Sequence, residues 1–234
     1  MRTLRLALLP LLLVACSDRQ PDAPDLGVVP DFKAGQVGTL DAVEETHLVF
    51  MREEEKLARD VYITLGKLYR DLKVFTRIDD AEQKHTDTMA DMLDLYGIED
   101  PSTSDKVGVF TGEDYGWYFT EKFELLLARG EIDGLEALYV GAFIEELDMH
   151  DIAHCPSVIV GTYFGLDPEG EGVEDLCGLV YTDEATIIRA YESLIDGSKS
   201  HLRAYVKAIE QIVGEGNYVA QYLPQDVVDD ILGR

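Results

Sequence analysis

A chain of 234 residues is long enough for one main domain with room for insertions, and its 46% hydrophobic content is that of a globular protein rather than a disordered tract. Forty-six acidic residues against 20 basic ones leave a formal net charge of -26. That balance excludes the basic surface nucleic-acid phosphates require, so no nucleic-acid partner is expected; the acid excess reads first as a solvated exterior and second as an attraction for cations.

The first segment is not part of the fold. Arg2 and Arg5 make a basic start, residues 6–14 an apolar run too short to span a bilayer, and Ala15-Cys16 a cleavage point. Leu13-Val14-Ala15-Cys16 resembles the lipobox of bacterial lipoproteins, in which the cysteine becomes the lipidated first residue; the competing reading is an ordinary secretory signal with an incidental cysteine. The expectation is a protein of the bacterial cell envelope, lipid-anchored to a membrane and facing the periplasm or exterior. Residues 1–15 are then the signal peptide, 16–40 (rich in Pro, Gly and Asp) a flexible tether, 41–213 the folded domain and 214–234 a tail with a short terminal helix. With Cys16 taken by lipid, Cys155 and Cys177 remain as an even pair in an oxidising compartment, where a disulfide is expected. No C-x-x-C occurs, which excludes a rubredoxin-like or thioredoxin-like centre.

The first long helix is expected over residues 41–72, with Asp41 as N-cap and Leu57, Ala58, Val61, Leu65, Leu68 and Leu72 as its apolar stripe. Glu53, Glu54 and Glu55 precede that run, and at least one must edge onto the buried face; spacing alone favours Glu54. The second long helix covers residues 78–97, opening at Asp79 or Asp80 and stopped by Gly97. Its stripe of Ile78, Ala81, Met89, Met92, Leu93 and Tyr96 also carries Glu82 and His85. A carboxylate and an imidazole one turn apart on a core-facing stripe are costly to bury unless charge or coordination compensates them. In a helix bundle, a Glu-x-x-His turn is one half of a carboxylate-bridged dinuclear metal site.

A polar connection over residues 101–114 leads into a short amphipathic helix at 117–128. The third long helix, residues 133–153, opens at Asp133; its stripe of Leu138, Gly141, Ala142, Met149 and Ile152 takes in Glu145 and Asp148, and the small pair at 141 and 142 would let another helix approach. Residues 156–182 read as an irregular insertion in which 158–164 fits either a short strand or a loop. The fourth long helix, residues 183–213, has Tyr191, Leu194, Ile195, Leu202, Tyr205, Ile209 and Ile212 on its stripe, with Ser198 and His201 on the same face. Gly197 in its middle weakens a helix unless something must come close.

Each long helix thus brings a ligand type to a buried face, and carboxylate with imidazole, without thiolate, suits iron or manganese. The stretches Met51-Arg-Glu-Glu-Glu-Lys-Leu-Ala-Arg-Asp-Val-Tyr62, Ala81-Glu-Gln-Lys-His85, Val140-Gly-Ala-Phe-Ile-Glu-Glu-Leu-Asp148 and Gly197-Ser-Lys-Ser-His-Leu-Arg-Ala-Tyr205 resemble the ferritin-like domain-of-unknown-function family 2202, akin to rubrerythrins and ferritins, over residues 39–213. The resemblance implies an all-α, ferritin-like four-helix bundle with a short extra helix between helices two and three and a Cys-flanked insertion before helix four. It implies metal ligands Glu55, Glu82, His85, Glu145, Asp148 and His201, a di-iron or di-manganese centre, and oxidoreductase chemistry of ferroxidase or peroxide-reducing type. In rubrerythrins and ferritins the first-helix ligand Glu is followed seven residues later by Tyr; Glu55 and Tyr62 match, which turns the choice from Glu54 to Glu55.

Two departures stand out. Ser198 occupies the place of the superfamily's second Glu-x-x-His glutamate, so either Asp148 or Glu146 replaces that carboxylate or the site holds one metal. The Cys-flanked insertion looks like an addition to the family pattern. The chain carries no electron-donor module, so turnover implies an external electron donor; a homodimer is allowed for. The contrasting expectation is a non-catalytic helical envelope lipoprotein, a structural or interaction module that has lost the metal chemistry. His150 and His154 have zinc-like spacing but read as exposed histidines.

Overall fold

The computed structural model describes residues 38–234. The expected signal segment, Cys16 and nearly all of the tether lie outside the described residues. The fold is all-α. Its elements are α1 (Ala42–Leu68), α2 (Phe75–Tyr96), α3 (Gly116–Gly130), α4 (Gly134–Ala153), α5 (Ser157–Thr162), a 3-10 turn (Val173–Asp175), α6 (Ala185–Val213) and α7 (Gln225–Leu232). Among the described residues there is no strand, and no helix is long and apolar enough to cross a membrane. The long helices α1, α2, α4 and α6 form the bundle: α1 packs along α2 and α4 along α6, the contacts α1–α4 and α2–α6 close the ring, and α3 lies against α1 and α4.

The helix starts follow local chemistry where a side chain supplies it. Asp41 Oδ1 accepts from the Val43 and Glu44 amides while Glu44 Oε2 accepts from the Asp41 amide, a reciprocal box that satisfies orphan donors at both ends of the first turn. Asp133 caps α4 from one side only, accepting from the amides of Leu135 and Glu136. The expected opening of α2 at Asp79 or Asp80 is corrected: the helix begins at Phe75, after Val74, with no side-chain cap. Phe75 and Ile78 are both in the core, and burying them extends the helix a turn beyond the nearest capping residue. At the far end Gly97 takes φ 71°, the left-handed stop expected of it. Helix α1 ends at Leu68 rather than 72, because the chain must turn within six residues to bring Phe75 against Gly66.

Residues 158–164, left open between strand and loop, are helical up to Thr162, with Ile159 and Val160 buried. Cys155 and Cys177 form a disulfide, as expected. The insertion also completes the end of α4: the Leu179 and Val180 amides donate to the Ile152 and Ala153 carbonyls. It then reaches across to the start of α1, where Tyr181 and Thr182 hydroxyls donate to Asp41 and Glu44.

The polar side of α1 holds the connection between α2 and α3. Asp60, fully buried, accepts from Lys56, twice from Arg59, and from the Gly108 amide. Glu53 accepts from the Gly112 amide, and Arg52 binds Asp100. These buried charges are paired and hydrogen-bonded, the condition under which they can be kept in a core.

Candidate metal centre

Helix α2 brings Glu82 and His85 to the bundle interior, α6 brings His201, α1 brings Glu55 and α4 brings Glu145 and Asp148. One ligand atom each from Glu82, His85 and His201 lie within 4.8 Å of one another. His85 Nδ1 is 3.2 Å from Glu82 Oε2 and 3.4 Å from Glu55 Oε2. His201 Nδ1 is 2.7 Å from Glu82 Oε1 and 3.4 Å from Glu145 Oε2. Glu145 is fixed from its other side by the Tyr62 hydroxyl, which donates to Oε1 at 2.7 Å. Between Glu54 and Glu55, the one placed beside His85 and Glu82 is Glu55.

Glycines make the approach feasible. A Cβ on Gly197 would lie 2.5 Å from His85 Nε2, so the gap that weakens α6 is the space the imidazole occupies. Gly141 does the same for the Tyr205 ring, which a Cβ would meet at 2.3 Å. The position that lacks a glutamate is also used: Ser198 Oγ donates to Asp148 Oδ2 at 2.5 Å, so α4 turns a carboxylate towards the vacated place. Glu146 is not that carboxylate. It faces the tail, accepting from the Tyr218 hydroxyl and from the amides of Gln221, Tyr222 and Leu223.

The buried charges divide into two groups. Burial disfavours ionised Glu82, but His85 and His201 outweigh it and hold the carboxyl well below its ordinary range. Burial likewise opposes protonation of His201, and Glu145 with Glu82 reverse this, pushing the imidazole up to about 10. His85 moves the same way under Glu82 and Glu55. Two other carboxyls go up: burial lifts Glu145 to about 7 in spite of His201, and Asp148 well above its usual value, with Glu55 and Glu145 adding repulsion at Asp148.

Several buried atoms fit a bound metal ion. Both Glu55 oxygens lack a hydrogen-bond partner although the residue is 1% exposed, as does Asp148 Oδ1 at 4%. His201 Nδ1 stands 2.7 Å from Glu82 without the alignment a hydrogen bond needs. Unsatisfied carboxylate oxygens beside two imidazoles are the donor set of a hard or borderline metal ion, and iron or manganese fits it.

Other polar residues of the interior fall elsewhere. Glu54 sits against Asp151 rather than in the cluster, and its carboxyl is raised well above normal by burial and then by Asp151, Asp148 and Glu55. His150 and His154 are half-buried rather than exposed; His150 Nδ1 lies 2.8 Å from Asp151 Oδ1. Their rings are 5.3 Å apart, and they belong to no group of three converging ligands among the described residues. His47 escaped the sequence reading. It is buried, with Nε2 donating to the Asp151 carbonyl at 2.9 Å and Nδ1 accepting from the Tyr191 hydroxyl at 2.7 Å, and burial lowers it to about 4. Its spacing of four residues to Met51 was the available signal.

The chain matches the family model described as an uncharacterized protein domain (DUF2202) over residues 44–159 and 172–234. It belongs to that family. The break in the DUF2202 match, residues 160–171, falls between the two cysteines, while both cysteines and the six ligand candidates lie inside the matched segments. The chain is 33% identical over 189 residues to uncharacterized protein MJ0754 of Methanocaldococcus jannaschii, covering 81% of this chain and 86% of that protein. A crystal structure of hypothetical protein MJ0754 from Methanococcus jannaschii is similar with a TM-score of 0.69 and 32% identity, over 84% of this chain and 95% of that one.

Proposed function

We propose that this DUF2202 protein is a ferritin-like metal protein, a di-iron or di-manganese carboxylate oxidoreductase of ferroxidase or peroxide-reducing type, tethered in the cell envelope through lipidated Cys16. The observation that carries the reading is the convergence of Glu82, His85 and His201 beside Glu55, whose two buried oxygens have no hydrogen-bond partner. Glu55, Glu82, His85, Glu145, Asp148 and His201 would hold the metal. A bound redox-active metal of this kind supplies one-electron steps for oxidising ferrous ions or reducing peroxide. The protein's part is positional: Tyr62 orients Glu145, Ser198 orients Asp148 and Gly197 admits His85. Electrons would come from an external donor.

A second reading has its own observation. Glu82 lies between His85 and His201 and offsets part of their charge, as it would in a purely structural ion-pair cluster. That arrangement suits a non-catalytic helical module. Oxygen and peroxide consumption by the purified chain, supplied with ferrous iron, separates the two. Consumption above the iron-only rate, lost in Glu82→Gln, supports the oxidoreductase; consumption at the iron-only rate supports the structural module.

A further inference from the structure

Glu145, Asp148 and Asp151 are three residues apart on α4 and all buried, so at about 1.5 Å rise per residue they form a ladder roughly 9 Å long down the bundle interior. Glu54 of α1 lies against the outer rung, Asp151. Beyond Asp151 the ladder reaches solvent. His150, with a side chain 25% exposed, hydrogen-bonds to Asp151, Tyr222 stacks edge-on against His150 at 5.0 Å, and Lys122 sits over the Tyr118 ring at 5.1 Å. Tyr118, Tyr222 and Lys122 all feel the Asp151 charge.

The same protein shows what its purely structural buried acids look like. Asp60 and Glu146 are each satisfied by several donors. The ladder is only half satisfied: Asp148 accepts from Ser198, Asp151 from His150, and Glu54 is hydrogen-bonded to Asp151, but Glu54 Oε2 and Asp148 Oδ1 have no donor although both residues are 4% exposed, and no Lys or Arg ion pair reaches any of the three among the described residues. Buried carboxylates with oxygens left unsatisfied are expensive, and a scaffold would do better to complete their hydrogen bonds, as it does at Asp60 and Glu146. Oxygen-only sites spaced a helical turn apart suit a hard divalent cation that exchanges its waters for carboxylate oxygens stepwise.

We propose that Asp151 and Glu54, followed by Asp148, form an uptake path along which a divalent cation passes from the face of α3, α4 and the tail to the centre built on Glu82, His85 and His201. The proposal rests on the metal reading of that centre. Asp151 and Glu54 are the outer station, Asp148 is shared with the centre, and Lys122 is a positive charge at the mouth that opposes cation arrival.

The test is cobalt(II) uptake by the metal-stripped full chain, followed by stopped-flow absorbance of the visible cobalt bands, for wild type, Glu54→Gln, Asp151→Asn and Lys122→Gln, with helicity checked for each. Expected are the wild-type cobalt content at the end point in all variants, uptake slowed about tenfold or more in Glu54→Gln and Asp151→Asn, and uptake faster than wild type in Lys122→Gln. The opposite signs separate a path from a loss of folding, which would slow every variant. Wild-type rates in both acid variants overturn the path. A lower end point overturns it too, because Glu54 or Asp151 would then be a ligand. No cobalt uptake by the wild type defeats the metal reading itself, and the path with it.

Discussion

A methyl group on Gly197 would lie 2.5 Å from Nε2 of His85, so the helix that supplies His201 must also leave out a side chain for His85 to enter. The Gly197→Ala substitution therefore sets two effects against each other. Alanine favours a helix interior by about 1 kcal/mol, while forcing a methyl into filled space costs about 1–3 kcal/mol. Net stability should fall by between about 0 and 2 kcal/mol, and the imidazole must move. Metal affinity is expected to fall by roughly 10–100-fold, the range for disturbing a ligand's support. Isothermal titration with manganese alongside thermal melting checks this; unchanged affinity would mean that His85 is not a ligand.

Glu146 carries a different prediction. Its carboxylate gathers one buried hydroxyl and three part-buried backbone amides of the tail, so Glu146→Ala leaves four donors without their acceptor and should cost about 1–3 kcal/mol. Hydrogen exchange should quicken across residues 218–223 while metal content stays at the wild-type level. Loss of metal with the tail still protected would place Glu146 in the centre after all.

Stability of the metal-free protein should fall with rising pH. The folded-state value for His201, about 10, exceeds its ordinary 6.5, so its contribution is complete below pH 6.5 and disappears as the pH approaches 10. Glu145, raised from 4.5 to about 7, takes further stability away between those two values, while His47, lowered from 6.5 to about 4, returns a smaller part as the pH rises to its ordinary value. Glu82, shifted down, has the opposite sign, and its contribution is lost only in acid below the ordinary range. Melting should therefore occur at a lower temperature near pH 8 than near pH 6. Bound iron or manganese, which displaces the imidazole protons, should flatten the dependence. A metal-free melting temperature that climbs from pH 6 to pH 8 contradicts the charge assignment.

The disulfide closes a segment with a sequence separation of 22, for which loop-closure entropy gives about 3 kcal/mol. Replacing Cys155 and Cys177 together by alanine should lower stability by about that amount in a denaturant titration. Metal content should not change, because the ligand nearest in sequence to either cysteine, Asp148, is seven residues from Cys155 on α4. A large loss of metal would tie the insertion to the centre.

Much of this arrangement was legible in the sequence because it has a local cause. Asp41, Asp133 and Gly97 act within one turn of themselves, and Glu82 and His85 betray themselves as polar residues on an apolar stripe. Gly197 is readable as a weakness that needs a reason. What escaped depends on contacts distant in sequence. Glu53, Glu54 and Glu55 point about 100° apart around α1, and periodicity assumes only one of them can be buried. All three are, since α1 is enclosed by α2, α4 and the connection before α3. The role of Glu146 required the tail to fold back on α4, and the helix at Ser157–Thr162 forms from a Val-Ile-Val run whose propensity favours a strand.

The measurement that tests the central claim most directly is the metal content of the purified chain after anaerobic loading with ferrous iron and desalting, for wild type, Glu82→Gln and His201→Ala. The account predicts about two metal ions per chain in the wild type, as a carboxylate-bridged dinuclear site holds, and loss of both in either variant. Wild-type protein that emerges without iron or manganese, melting at the same temperature with and without them, would contradict it and leave Glu82, His85 and His201 as a structural ion-pair cluster.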